Sequence, residues 1–266
     1  MSADGLGITD ADREKLAAIV RADHLAQFVD NANALAREAK LRLDGDELRA
    51  AVVDPANVGM IEQSLAADAF ESYDFDGGVI GVSLDRLDDV LGMADSDDLV
   101  RLELDEETRK LHISIDGLEY TLALIDPDSI RQEPAVPDIG AELTATLVCE
   151  ARELHHAAKA ADLCSGHIAF GASVGGEVFY AEAEGDTDDV RYEWSRDDTR
   201  EGSAVEADAH SLYSLDYLKD MLKPITASAE TTLRVGEGFP MFMDSRFASG
   251  HGELRYMLAP RVGDGA

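Results

Sequence analysis

Basic residues are scarce in this chain. Its 266 residues include 23 Lys and Arg against 55 Asp and Glu, which gives a formal net charge of −32, and lysine occurs at only six positions. Yet 45% of the residues are apolar, which excludes an acidic disordered chain. A folded protein this acidic repels itself in ordinary buffer, whereas at molar salt the screening length is only about 3 Å. The composition therefore predicts a cytoplasmic protein from a cell that accumulates salt.

Cysteine and long apolar runs are also scarce. Cys149 and Cys164 are the two cysteines of the sequence, too few for a disulfide framework or for zinc spacing. No apolar run approaches the roughly 18 residues needed to span a bilayer, so we expect no membrane partner. Residues 1–15 lack the pattern of a signal peptide, and we expect them to form a polar, disordered extension.

A nine-residue segment occurs twice in nearly the same form. SLDRLDDVL at 83–91 and SLDYLKDML at 214–222 agree at six of nine positions, 131 residues apart. LEYTLA at 118–123 and LRYMLA at 254–259 share an L-x-Y-x-L-A pattern and close the two halves. The spacing exceeds the period of a solenoid repeat, about 20–50 residues, and suits domains of about 100–200 residues. The sequence therefore predicts two similar domains in tandem.

Each half combines helical and alternating patterns. Residues 22–35 and 83–91 carry apolar stripes at helical spacing, with Ser83 as an N-cap, and the second half repeats both stripes before Pro224. Alternating apolar residues follow each short helix and predict antiparallel strands with one solvated face. Residues 125–140 hold three of the seven prolines and predict an exposed connecting loop.

Motifs that carry chemistry are weak. DFDGG at 74–78 and LDGDEL at 43–48 lack the spacing and closing Glu of a calcium loop. GASVGGE at 171–177 lacks the Lys-Ser/Thr of a phosphate loop. His155 and His156 are helix neighbours whose side chains diverge by about 100°. We therefore predict no metal site, no cofactor and no catalytic residue, although an enzyme with an unrecognised carboxylate site remains an alternative.

Three segments carry a resemblance to a known family. LRYMLAPRV at 254–262 resembles the L-K-Y-Y-L-A-P-K-I ending of DNA sliding clamps of the proliferating cell nuclear antigen family. SLDYLKDMLKP resembles the second-domain helix of that family, and VVDPANVGM at 52–60 resembles its front-face loop. The resemblance covers about residues 16–262.

The resemblance implies an α+β fold with two clamp domains per chain, antiparallel sheets outside and two helices each inside, closed as a trimeric ring. The domains would span 16–124 and 141–262, joined by 125–140 and followed by a tail at 263–266. It implies a DNA polymerase processivity factor in replication and repair, a homotrimer that encircles duplex DNA without reading sequence. Polymerase, clamp loader, nuclease and ligase would dock through short peptide motifs. One subunit of a heteromeric scaffold is the alternative.

The resemblance also implies three sets of site residues. Residues facing nucleoid DNA would be Arg86, His156, Lys159, Lys219 and Lys223. The partner-peptide pocket would contain Asn57, Val58, Met60, Ile125, Val136, Pro137, Pro240, Met257, Ala259 and Pro260. The subunit interface would contain Leu118, Tyr120, Val190 and Tyr192. The chain departs from the family where relatives carry several lysines on the first helix, so we expect weak DNA binding by the free protein.

Overall fold

The computed structural model describes residues 17–75, 77–134, 136–175, 178–194 and 199–261. The extension predicted at 1–15 and the tail predicted at 263–266 lie outside these ranges. The first half of the chain runs through β1 (Ala17–Arg21), α1 (Ala22–Asn33), β2 (Glu38–Leu43), β3 (Glu47–Val53), β4 (Gly59–Ala66), β5 (Phe70–Asp74), β6 (Val79–Ser83), α2 (Leu84–Leu91), β7 (Leu99–Asp105), β8 (Lys110–Ile115) and β9 (Leu118–Ala123).

The second half repeats this order, element for element. It runs through β10 (Ala145–Glu150), α3 (Ala151–Ala161), β11 (His167–Ser173), β12 (Val178–Glu184), β13 (Asp189–Trp194), β14 (Ala204–Val205), β15 (Ala209–Ser214), α4 (Leu215–Leu222), β16 (Glu230–Val235), β17 (Met241–Phe247) and β18 (Gly252–Leu258). Each half is therefore one strand, a helix, five strands, a second helix and three strands. This confirms the predicted duplication of an α+β unit.

The strands form three antiparallel sheets. One has the order β5-β1-β7-β8-β9, and another has the order β13-β12-β11-β15. The third has nine strands, β14-β10-β16-β17-β18-β4-β3-β2-β6, and it combines strands of both halves. The halves meet where β18 pairs with β4 over seven residues, from Gly252 opposite Leu65 to Leu258 opposite Gly59. We call this pairing the internal joint.

Six strands end the three sheets and have a described strand neighbour on one side only. Two of the six are β9, at the end of the five-stranded sheet, and β13, at the end of the four-stranded sheet. In the duplicated order β9 corresponds to β18, and β13 corresponds to β4. These two edges, which we call the open edges, are therefore the counterparts of the two strands that form the internal joint.

The helices each bury one apolar stripe. Leu25 and Phe28 of α1 and Leu84 and Leu87 of α2 are at most 2% exposed, and burying one such side chain contributes about 1.5–3 kcal/mol. α1 packs on α2, and α3 packs on α4. Ser83 occupies the predicted N-cap position of α2, but its side chain makes no capping hydrogen bond.

The connecting segment contains one short 3-10 turn, Pro127–Ser129, and a second 3-10 turn, Gly140–Glu142, begins at its last residue. Among the described residues, no helix is both long enough and apolar enough to cross a bilayer.

Candidate partner-binding, DNA-facing and subunit surfaces

One buried carboxylate organises the loop between β3 and β4, residues 54–58. Asp54 is 3% exposed. Its Oδ1 accepts hydrogen bonds from the amides of Val58 at 2.6 Å and Gly59 at 2.7 Å. Its Oδ2 accepts from the amide of Ala56 at 2.7 Å and from the hydroxyl of Tyr217 at 2.6 Å. Burial opposes ionisation, but these four donors outweigh it and lower the pKa of Asp54 below its ordinary value.

Tyr217 lies on α4, so this carboxylate also ties the two halves together. Gly59 permits the close approach of that helix. A Cβ added to Gly59 would lie 2.8 Å from Cε of Met221 and 2.9 Å from Cδ2 of Leu35. A larger residue at this position would therefore force the side-chain ends of Met221 and Leu35 to shift.

The connecting segment is fastened to the same loop. Arg131 donates from Nη1 to the backbone oxygen of Asp54 at 2.8 Å and from Nη2 to Oδ1 of Asn57. Two residues further on, Glu133 accepts three hydrogen bonds of 2.6–3.0 Å from Arg42 on β2. These contacts hold the residues around 131–133 against the first half, beside the loop 54–58.

The structure brings together the centre of the predicted peptide pocket. Met257 lies directly opposite Met60 across the internal joint, and the amide of Ala259 donates to the oxygen of Val58 at 2.8 Å. Met257 is 7% exposed in the single chain, whereas Val58, Met60 and Ala259 are half-buried.

The remaining predicted pocket residues divide into two groups. Asn57 contacts Arg131 as described, Pro260 follows Ala259, and Pro240 directly precedes β17, whose Met241 pairs with Leu258. Ile125 begins the connecting segment and donates its amide to Gly81 at 2.8 Å. Val136 is half-buried and Pro137 is exposed. Among the described residues, no hydrogen bond or strand pairing links either of them to residues 54–58.

A groove of about 880 Å³ lies elsewhere, along strands of the nine-stranded sheet. None of the ten predicted pocket residues lines it. Its walls are mainly paired charges, such as Arg42 with Glu133 and Arg255 with Asp244. Such a lining does not suit the aliphatic and aromatic anchors of a docking peptide.

The predicted DNA-facing residues lie on the helices but do not form a basic surface. Arg86 is on α2, His156 and Lys159 are on α3, Lys219 is on α4, and Lys223 follows α4. Helices α1–α4 together carry eight acidic residues and only four Lys or Arg. The ammonium of Lys219 also pairs with Asp162 at 2.9 Å. The helix surface is therefore acidic overall.

An acidic pair lies between α1 and α2. Partial desolvation raises the pKa of Asp30 to about 6; the nearby Asp88 carboxylate, which also hydrogen-bonds to it, adds to the rise, and Lys223 opposes it. At neutral pH this pair adds a like-charge repulsion at the helix surface.

The predicted interface residues occupy the two open edges. Leu118 and Tyr120 are on β9, and Val190 and Tyr192 are on β13. All four are partly buried and pack against the core of the chain. Within one chain, the residues of β9 lie apart from those of β13, because the two strands end different sheets.

Three residues that organise this region were not predicted from the sequence. Asp54 carries a local signal, because an Asp before Pro at the end of a strand is typical of a turn held by its own side chain. Tyr217 and Arg131 carry none, because their partners are 163 and 77 residues away in the sequence.

Comparisons with known proteins agree with this architecture. Residues 16–122 match the family model of the proliferating cell nuclear antigen, N-terminal domain. The chain is 56% identical to the DNA polymerase sliding clamps of Natronomonas pharaonis and of Haloarcula marismortui, each over 92% of this chain and 98% of the relative. It also matches the structure of the C-terminal region of FEN-1 bound to A. fulgidus PCNA, with a TM-score of 0.86, 31% identity, and coverage of 94% of this chain and 99% of that one.

Such identity over nearly the whole length decides the family: the chain belongs to the DNA polymerase sliding clamps of the proliferating cell nuclear antigen family.

Proposed function

We propose that three copies of this chain close into a ring around duplex DNA and act as a polymerase processivity factor. The proposal keeps the predicted domains, 16–124 and 141–262, with 125–140 as the connecting loop. The observation that carries it is the relation between the internal joint and the open edges, because β9 and β13 are the repeated counterparts of the strands that already pair as β18 and β4.

The residue pairing of β18 with β4 also predicts how β9 of one copy would pair with β13 of the next copy. Leu118 corresponds to Leu254, because LEYTLA and LRYMLA align. Tyr192 corresponds to Gln63, because Phe179 pairs with Trp194 as Leu48 pairs with Leu65. Leu254 lies opposite Gln63, so we expect Leu118 opposite Tyr192 of the next copy.

The same register brings complementary side chains together. We expect Tyr120 of one copy opposite Val190 of the next, and Glu119 opposite Arg191. Apolar, aromatic and opposite-charge pairs all favour cross-strand pairing. Such a head-to-tail contact closes into a ring when its rotation allows, and closure pairs the exposed edges of β9 and β13. The four predicted interface residues therefore fit one joint.

The acidic helix surface is compatible with this role. Phosphate binding by Lys and Arg depends on counterion release and collapses as salt rises. A closed ring is held on DNA by topology and needs no such affinity. We therefore assign the five predicted basic residues at most a secondary part in holding DNA.

Partners would dock on the pocket around Val58, Met60 and Met257. An apolar groove for a helical turn beside a strand edge is a common mode of peptide recognition. The relative from A. fulgidus in complex with the C-terminal region of FEN-1 supports a nuclease among the partners. Polymerase, ligase and clamp loader would use the same pocket. In this proposal the chain is a scaffold without its own chemistry and works in the cytoplasm on nucleoid DNA.

A topological experiment tests the proposal. The clamp is loaded by its own clamp loader onto nicked circular DNA and then moved to several molar potassium chloride. We expect it to remain on the circle and to leave within the same interval when one restriction cut makes the DNA linear. Equal loss from circular and linear DNA would contradict an encircling ring.

A further inference from the structure

We propose that Arg86 is a subunit-interface residue, whose guanidinium binds the acidic loop 184–189 of the next copy rather than DNA. The proposal rests on the ring proposed above and deepens it. It moves one of the five predicted DNA-facing residues to a different surface.

Helix α4 crosses the internal joint. Tyr217 on α4 reaches over the joint and hydrogen-bonds to Asp54 in the loop before β4. The counterpart of α4 is α2, and aligning SLDRLDDVL with SLDYLKDML sets Arg86 in the position of Tyr217. The flanking strands keep this alignment, because Ser83 pairs with Glu38 as Ser214 pairs with His167.

The loop that α4 contacts also has a counterpart in the other half. Residues 54–58 connect β3 to β4, and their counterparts are residues 185–188, which connect β12 to β13. When β9 of one copy pairs with β13 of the next, the helix of the first copy lies over this loop of the second. Arg86 then faces loop 184–189, as Tyr217 faces loop 54–58.

Arg86 and the loop 184–189 carry complementary charges. Glu184, Asp186, Asp188 and Asp189 are all exposed. In the part of the chain that the structure describes, none of the four forms an ion pair, and exposed Arg86 forms none either. An arginine without a partner is notable in a chain with 55 acidic residues. At the internal joint, α4 supplies the hydrogen-bond donor and the loop 54–58 supplies the carboxylate. In the proposed contact between copies, α2 and the loop 184–189 would take the same roles.

The lengths of the two loops and of the two side chains are also consistent with this contact. The loop before β13 has four residues where the loop before β4 has five. Arginine is longer and more flexible than tyrosine, so it reaches a shorter loop, and its planar fork suits a carboxylate. One such pair per joint offsets part of the repulsion between subunits that each carry a net charge of −32.

The experiment compares Arg86→Glu with Arg246→Glu. Both variants reverse the charge of one exposed arginine, but Arg246 lies on β17 inside the nine-stranded sheet, away from β9 and β13. Subunit association is measured by sedimentation over a concentration series, at the lowest salt at which the unmodified protein remains trimeric. We expect Arg86→Glu to weaken association about tenfold or more and Arg246→Glu to leave it nearly unchanged.

Charge reversal on the loop makes the test specific. Asp186→Arg or Asp188→Arg, combined with Arg86→Glu, is expected to restore association, with thermal unfolding of the dissociated chains as a control for folding. Equal association of Arg86→Glu and the unmodified protein, or restoration by neither loop variant, would overturn the assignment of Arg86. An unmodified protein that never trimerises would instead overturn the ring itself.

Discussion

The hydroxyl of Tyr217 donates a 2.6 Å hydrogen bond to Oδ2 of Asp54 across 163 residues of sequence. It links a helix of the second half to the loop that borders the predicted peptide pocket. The same bond raises the pKa of Tyr217 to about 12. The proposed peptide pocket therefore depends on how the two halves of the chain meet.

Removing this hydroxyl tests that dependence. Tyr217→Phe keeps the aromatic side chain but removes its hydroxyl, which leaves Asp54 with three amide donors. We expect a loss of about 1.5 kcal/mol in stability, since the bond joins a neutral donor to a charged acceptor, and several-fold weaker binding of a partner peptide. Tyr73→Phe is the matched control, because Tyr73 donates to the oxygen of Glu47. A several-fold loss of peptide affinity in the control as well would contradict a specific role for Tyr217.

The pocket assignment itself is tested at Met257. Met257→Asp places a charge at the joint between β18 and β4, opposite Met60. We expect peptide binding to be abolished, as measured by calorimetry, while the native mass stays the same. Met93→Asp is the control, because Met93 is 73% exposed and distant in sequence from the pocket strands. Unchanged peptide affinity in Met257→Asp would remove this residue from the pocket.

The acidic pair of α1 and α2 predicts a pH effect. The pKa of Asp30 is about 6 in the folded chain against an ordinary value of 3.8. The folded state therefore binds this proton more tightly, so stability falls as pH rises from about 4 to about 6 and stays low above that range. Asp30→Asn should remove the penalty.

We expect Asp30→Asn to raise the stability at pH 7.5 by at most about 1 kcal/mol, because solvent screens much of the repulsion. The gain should disappear at pH 4. Thermal unfolding at both pH values, at fixed salt and protein concentration, measures it. A gain of the same size at both pH values would show that ionisation of Asp30 is not its cause.

Cysteine pairs test the register between subunits. In a variant lacking Cys149 and Cys164, Tyr120→Cys with Val190→Cys should crosslink under mild oxidation, because directly opposed strand residues are about 5 Å apart. Denaturing electrophoresis should then show linked subunits. Tyr120→Cys with Arg191→Cys is the control, because residue 191 points to the other face of the strand. Equal crosslinking of both pairs would contradict the register.

The repeated fold was predictable because its signals are local. The stripe of Leu84, Leu87 and Val90 and its copy in α4 follow from helical period, and the alternation around Leu102 follows from the period of a strand. The joint between halves was not predictable in this way. The bonds from Tyr217 and Arg131 form only after distant segments pack, and nothing in their neighbouring sequence encodes them.

The predicted DNA-facing residues show the same limit of prediction from the sequence. Residue type and helix position select Arg86 and Lys219 as basic residues on exposed faces. Position along the helix does not reveal that Lys219 is already paired with Asp162. The repeated segment aligns Arg86 with Tyr217, but it does not reveal that Tyr217 reaches Asp54. Those relations require the register of the sheets.

The most direct test of the ring is the native mass of the full chain, measured by light scattering in several molar potassium chloride. The ring predicts a mass near three times 28.6 kDa, unchanged on dilution over the range in which the edges stay paired. A mass near 28.6 kDa at every concentration would contradict it.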